Sequence, residues 1–303
     1  MDLSVVVVSW NTRELLRSCL GSIEQTIHGL TYEVVVVDNG STDGSGEMVE
    51  QEFPEAVLLR NNHNLGFARA NNQAMRASRG RYILLLNSDA TLQDRAAATL
   101  VQFLDANRAA GAVGGKLLNP DGTFQGSYAD FPGLFGETLL LTGLSRWLLP
   151  STYPSYPEAR SRERRSVDWV SGACLAVRRR AIDAVGLLDE DYFMYSEEVD
   201  WCHRLKTAGW SIHYLPDARV IHRSGGTSRQ VPKPKRAQLY RGKWLYFRKR
   251  RGWLYAVAFR VLVGAVSRLK LRAWWICNRV TNGSTRDRAG QNVESYRYLL
   301  ANF

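Results

Sequence analysis

A chain of 303 residues with 45% hydrophobic content can bury a full core, and its length fits one large domain or a domain with an appendage. Its net charge of +11 is unevenly placed: residues 218–286 hold 18 Lys or Arg and no acid, leaving 22 of the 40 basic residues against all 29 acidic ones, a net −7. Four scattered cysteines, Cys19, Cys174, Cys202 and Cys277, form no CxxC pair, which argues against a disulfide framework or zinc site and for a reduced, cytoplasmic protein.

The opening run MDLSVVVVSW has no basic segment and no small-residue cleavage site, so no signal peptide is expected. Leu3–Asn11 reads as a buried strand. The next helix carries Leu15, Leu16, Cys19, Leu20, Ile23 and Ile27 on one stripe, with Asn11 and Glu14 spaced as a capping pair. Tyr32–Gly44 repeats the plan with a buried strand and polar turn, then a helix through Glu47–Phe53. AVLLRN is a short strand, NLGFARANNQAMRAS a turn and helix, and RYILLLNSDA a strand before a helix over Asp94–Ala106. Such alternation predicts βαβ units and a mainly parallel sheet with helices on both faces. Two short strands then flank an Asn119-Pro120-Asp121-Gly122 turn, and Pro150–Arg165 reads as an exposed loop. VDWVSGACLAVRRRAIDAVG is a strand leading into a helix. FMYSEEVDWCHRLKTAGW is a helix with Ser196 as its cap, and SIHYLPDARVIHRSGG a final strand pair. From about Arg236 the chain reads as basic, aromatic-rich helices.

In an open α/β sheet, ligands bind at the carboxyl ends of the strands. Those ends carry Ser9-Trp10-Asn11, Asp38-Asn39-Gly40-Ser41, Asn61–Gly66 and Asn87-Ser88-Asp89. A lone acid such as Asp89 at a strand end is most often a turn former or cap. No G-x-G-x-x-G follows the first strand and no G-x-x-x-x-G-K-[ST] occurs, which disfavours a dinucleotide-binding or P-loop enzyme. A phosphoribosyltransferase loop would want a second acid where Asn39 stands.

Taken in order, VVVSWN, VVVVDNGSTDGS, NNHNLGFARANNQAM, YILLLNSDATL, LLNPDGTFQGS, the WVSGACLAVRRRAIDAVGLLDEDYFMYSEEVDWCHRLKTAGW run and VIHRSGGTS cover residues 3–230. Together they resemble the inverting family-two glycosyltransferases of the GT-A fold, in the rhamnosyltransferase-like branch. The resemblance implies a transferase domain over 1–230, and the charge pattern marks a basic helical region over 231–303. It implies a nucleotide-sugar site in which Asp38 accepts a hydrogen bond from a uracil or thymine imide, with Ser9 and Asn11 lining the same pocket. Asn64 and Gly66 allow close backbone approach, and Arg69 offsets pyrophosphate charge. Asn87-Ser88-Asp89 stands in place of the family's Asp-x-Asp motif, with Asn87 replacing the first acid. Asp89 and His222 are then the implied ligands of Mg²⁺ or Mn²⁺. Ser88 belongs to the same strand end, and Trp169, Ser171 and Gly172 line the donor or acceptor cleft. The family's base falls on Glu198, which supplies a Glu where Asp is usual, and Asp200 is the second candidate. Asp200 is explained equally well by an i, i+4 pair with Arg204. Partners implied are a dTDP- or UDP-linked sugar and a glycan or lipid-linked acceptor.

The apolar stretches of the C-terminal region are broken by Arg260 and fall short of the roughly 20 residues that span a bilayer. Arg260, Arg268 and Arg272 fall four or eight apart, as on an interfacial helix facing anionic lipid. That spacing predicts peripheral association with the inner face of the cell membrane. A helix packed on the body with a solvated charged side is the alternative. No nucleic-acid module accompanies the charge, so no nucleic-acid partner is expected. The competing functional reading is a non-catalytic membrane- or polyanion-binding protein that keeps the fold. A nucleotidyltransferase is disfavoured because SWNTRELL lacks a Gly-rich basic loop.

Overall fold

The computed structural model describes residues 1–148, 161–223 and 232–303; the expected 150–165 loop lies mostly outside them. Two units are present. The first comprises Met1–Phe131, Ser151–Phe193 and Glu197–Thr227, the second Pro132–Pro150, Met194–Ser196 and Ser228–Phe303.

In the first unit, β1 (Leu3–Ser9), β2 (Tyr32–Asp38), β3 (Val57–Arg60) and β4 (Tyr82–Asn87) are separated by α1 (Arg13–Thr26), α2 (Ser45–Glu52) and α3 (Phe67–Ala77). β5 (Ala90–Leu92), α4 (Ala96–Ala106), β6 (Ala110–Leu118), β7 (Phe124–Gln125) and β8 (Tyr128–Ala129) follow. After the second unit's α5 (Leu134–Thr142) and α6 (Ser145–Leu148) come β9 (Arg165–Ser166), β10 (Trp169–Val170), β11 (Cys174–Arg178), α7 (Arg179–Val185), α8 (Glu197–Thr207) and β12 (Ser211–His222).

The main sheet runs β3-β2-β1-β4-β11-β6-β12-β5. Strands β3, β2, β1 and β4 are parallel. β11 is antiparallel to both β4 and β6, so β6 regains the direction of β4, and β12 runs parallel to β6. The carboxyl ends of β1, β2, β4, β6 and β12 therefore share one edge, and β8 and β10 form a small antiparallel pair.

Side-chain alternation along these strands explains why both faces are covered. Val5, Val7, Val36, Leu84 and Leu86 pack with Leu16, Leu20, Leu100 and Leu104. Val6, Val35, Val37, Ile83 and Leu85 point the other way, against Ala70, Met75, Trp201 and Leu205. Burying each Val or Leu side chain stabilises the fold by about 1.5–3 kcal/mol, which is how unbroken apolar runs fix the sheet.

Two local expectations are corrected. Asn11 does not cap α1: the residue before the helix is Thr12, and no side chain caps that end. The expected strand pair after Trp210 is one strand, β12, which pairs with β6 on both sides of an irregularity between Leu215 and Arg219. Pro216 sits inside that irregularity, where its missing N–H removes nothing from the ladder.

The second unit contains α5, α6, α9 (Pro232–Arg250), α10 (Trp253–Val280) and α11 (Gly283–Asn302). A buried ion pair, Glu137 to Lys243 at 2.6 Å, joins α5 to α9. Phe259 of α10 stacks edge-on against Phe247 at 4.8 Å between ring centres.

Candidate active site

Because β12 is parallel to β6, its last residue arrives at the same edge as the end of β4. His222 pairs with Ala90 of β5, directly after Asp89. The result brings Asp89 Oδ1 within 3.1 Å of His222 Nε2, both groups largely buried. The backbone locks the arrangement, since Arg223 N–H donates to the Asp89 carbonyl at 2.9 Å.

The tautomer of His222 follows from its neighbours. Gln125 donates its amide to Asn119 Oδ1 at 2.9 Å and to the His222 carbonyl at 3.1 Å. Its Oε1 is left to accept from His222 Nδ1–H at 2.6 Å. With Nδ1 carrying that proton, the Nε2 lone pair faces Asp89, and Asn87 Nδ2 donates to it at 3.2 Å. A carboxylate and an imidazole lone pair in contact share either a proton or a cation. The donor set fits a cation as well as a proton: one carboxylate oxygen and one imidazole whose Nε2 a cation would take over from the Asn87 amide, backed by an outer hydrogen bond of the kind that holds metal-ligating histidines. No group of three or more His, Cys, Asp or Glu suited to a metal occurs among the described residues. Further ligands would have to come from phosphate oxygens, as is usual for Mg²⁺.

The remaining strand-end residues build the edge itself. Ser9 Oγ lies 2.8 Å from Thr12 Oγ1, which lies 2.9 Å from Ser88 Oγ, a buried hydroxyl chain joining the ends of β1 and β4. Asn11, at φ 52, accepts from Thr42 N–H at 2.7 Å. Asp38 Oδ1 accepts from Ser41 N–H at 2.9 Å, three residues on, which closes the loop after β2. Asn39 is the hub: its Oδ1 accepts from Asn61 Nδ2 and Leu65 N–H, each at 3.0 Å, and its Nδ2 donates to Asn64 Oδ1 at 3.0 Å. Asn64 Oδ1 also accepts from Gly66 N–H at 2.9 Å. Gly66 sits at φ 86 where a Cβ would meet the Phe193 carbonyl at 2.5 Å, so only glycine fits. Arg69 projects outward, its Nε 3.7 Å from Glu190.

A second group of residues approaches from β10 and α8. Trp169 Nε1 donates to the Asp130 carbonyl at 3.0 Å. A Cβ on Gly172 would lie 3.7 Å from the Cβ of Glu198, while the next residue's carbonyl, Ala173 O, accepts from Asn87 N–H at 3.1 Å. One short segment, Ser171–Ala173, thus links Glu198 to the end of β4. Tyr195 and Ser196, immediately before α8, have φ 73 and 74. Ser196 is therefore left-handed rather than extended as a capping residue is, and two such residues in succession store strain.

The three acids of the first turn of α8 differ sharply. Asp200 is fully buried and committed to Arg204 at 2.9 Å. Glu197 is 5% exposed, and its Oε2 has no hydrogen-bond partner among the described residues. Burial, and then the neighbouring Glu198 charge, hold the Glu197 carboxyl well above the usual glutamate range. Glu198 alone of the three is partly exposed. A raised carboxyl pKa in the fold means that the folded state binds the extra proton. Stability is then full below the unfolded value of about 4.3 and falls as pH rises. Glu197→Gln is accordingly expected to gain melting temperature over wild type as pH is taken from 4 to 8, read by thermal denaturation.

Sequence reasoning missed Thr12, Asn39 and Gln125. Asn39 was visible only as one of the polar residues after β2 and as a missing acid, not as a hub, and Gln125 carries no signal until β7 is laid against β6.

Comparison with known proteins gives a consistent result. The profile described as Glycosyl transferase family 2 matches residues 4–186. N-acetylglucosaminyl-diphospho-decaprenol L-rhamnosyltransferase of Mycobacterium tuberculosis is 30% identical over 278 residues, covering 88% of this chain and 90% of the relative. O-antigen biosynthesis protein RfbC of Myxococcus xanthus is 26% identical, over 83% of this chain and 19% of its own length. A mannosyltransferase from Pyrobaculum calidifontis, solved with GDP-Man and Mn2+, shares the fold with a TM-score of 0.59 at 18% identity, covering 99% of this chain and 85% of that one.

Proposed function

Since the chain belongs to glycosyl transferase family 2 and is a glycosyltransferase of GT-A fold, we propose that it moves a sugar, rhamnose first among candidates, from a dTDP- or UDP-linked donor to an acceptor hydroxyl with inversion. The observation that carries this reading is the Asp89–His222 pair, a carboxylate and an oriented imidazole facing each other at a strand end. Asp89 and His222 are the residues that would hold Mg²⁺ or Mn²⁺, which supplies Lewis-acid stabilisation to the charge developing on the departing diphosphate. Asp38, whose Oδ1 also accepts from Ser41 N–H, is the residue assigned to the imide N–H of the base. Glu198, partly exposed at the start of α8, takes the proton of the acceptor hydroxyl as it attacks opposite the leaving group. Asp200 is bound to Arg204 and orients α8.

The mycobacterial relative, named for rhamnosyl transfer to a decaprenol-linked sugar, supports a lipid-linked acceptor and a place in bacterial cell-surface polysaccharide or glycolipid assembly. The Pyrobaculum calidifontis structure with GDP-Man and Mn2+ supports a nucleotide sugar used with a divalent cation. The test is calorimetric binding and slow hydrolysis of a panel of nucleotide sugars, with and without Mg²⁺ or Mn²⁺. One donor is expected to bind, more tightly with the cation, and to release its nucleoside diphosphate. Absence of binding by every donor under both conditions would leave the non-catalytic reading standing.

A further inference from the structure

The exposed large apolar side chains of the described residues are concentrated in the second unit, on α5, α6 and α10. Helix α10 has 28 residues, about 42 Å of length. Its packed face is Ala256, Phe259, Val263 and Ser267, all buried. On the opposite face stand Leu254, Val261, Leu269, Ile276 and Val280, each more than half exposed. Their spacings of seven, eight, seven and four keep them on one side of a helix with 3.6 residues per turn. Arg268 and Arg272 fall among them, and Arg279 lies 3.7 Å from the ring centre of Trp275. No acid occurs anywhere on α10. Leu134 N–H donates to Tyr255 Oη at 2.9 Å, which ties the start of α5, with exposed Phe135, to the first turn of α10 beside Trp253 and Leu254.

We propose that this face of α10, continued by Phe135 of α5, docks on an anionic lipid bilayer, lying in the headgroup plane without crossing it. No helix among the described residues is long and apolar enough to cross a membrane. Leucine, valine, isoleucine and tryptophan side chains on an exposed face have nothing to gain from water, and arginines on long stems reach up to phosphates while their stems stay apolar. Charge decides against the other occupants. A two-fold contact with a second copy brings the same patch against itself and so sets arginines against arginines. A nucleic-acid backbone would satisfy the arginines and strand the aliphatic stripe. On α10 the cations Arg268 and Arg272 and the aliphatic side chains share the outward side, as an acyl–headgroup boundary requires. The proposal stands on this surface alone and does not depend on the sugar-transfer reading.

The full-length chain is to be floated with vesicles of phosphatidylcholine alone and of phosphatidylcholine mixed with phosphatidylglycerol, at low and high salt. Binding is expected with the anionic vesicles at low salt and little with the neutral ones. Arg268→Ala with Arg272→Ala should weaken it by roughly 30-fold, at about fivefold per arginine. Leu269→Glu with Ile276→Glu should weaken it more than ~10-fold. These positions are exposed, so circular dichroism should match wild type, and nucleotide-sugar binding provides a separate readout of a folded first unit. Equal binding to neutral and anionic vesicles, unchanged binding by both double variants, or self-association in sedimentation without any vesicle binding would each overturn the proposal.

Discussion

Asp89→Ala is expected to lower sugar transfer by roughly 10³-fold, about 4 kcal/mol of transition-state stabilisation. The carboxylate is one of two protein groups that meet at the cation pair, so its loss leaves a single imidazole, too little to hold a hard cation against water. The second readout is direct: Mn²⁺ binding followed by electron paramagnetic resonance should be lost along with the cation-dependent part of donor binding. Leu86 before it and Ala90 and Leu92 after it are core residues, and the Asp89 carbonyl, which the substitution keeps, accepts from Arg223 N–H. The variant should therefore fold. Wild-type Mn²⁺ affinity in Asp89→Ala would remove the pair from the mechanism.

Glu198→Gln is the second large effect. Loss of a general base costs typically 10²–10⁴-fold in turnover, and glutamine keeps the shape while removing proton affinity. Donor affinity should stay near wild type, so the loss should be in kcat with KM for the donor unchanged. Asp200→Asn makes the useful contrast. Arg204 is held by Asp200 and donates to the carbonyls of Val185 and Leu187 at 2.6 and 2.7 Å. Breaking a buried pair from one side costs about 3–5 kcal/mol, so Asp200→Asn should show a lower melting temperature. If instead Asp200→Asn keeps its stability and loses turnover while Glu198→Gln does not, the base is Asp200.

The β-strands and their order of alternation with helices were legible because unbroken Val and Leu runs leave little choice once two faces must be covered. The antiparallel insertion of β11 was not. Nothing in CLAVR says which neighbours it will separate, since register and direction are set by long-range pairing. At the site, Asp89 and His222 could be proposed from resemblance, yet 132 residues lie between them, and only the parallel course of β12 brings them together. Polar residues at strand ends read alike in sequence, and the contacts they make with one another, such as those of Asn64 with Asn39 and Gly66, appear only in the fold. Gln125 was invisible for the same reason, because a side chain that orients another one has no spacing rule.

The irregularity in β12 has a consequence for insertions and deletions. Beyond it, Arg219, Val220 and Ile221 stand opposite Lys116, Leu117 and Leu118, and the count from there to His222 is fixed. A one-residue deletion inside the irregular stretch Pro216–Ala218 could be absorbed by the slack already present. The same deletion between Arg219 and Ile221 would turn the imidazole to the opposite face of the sheet, because side chains alternate with each step. Four residues of strand thus act as a ruler, and length variation among descendants of this chain should collect before Arg219 and stop there.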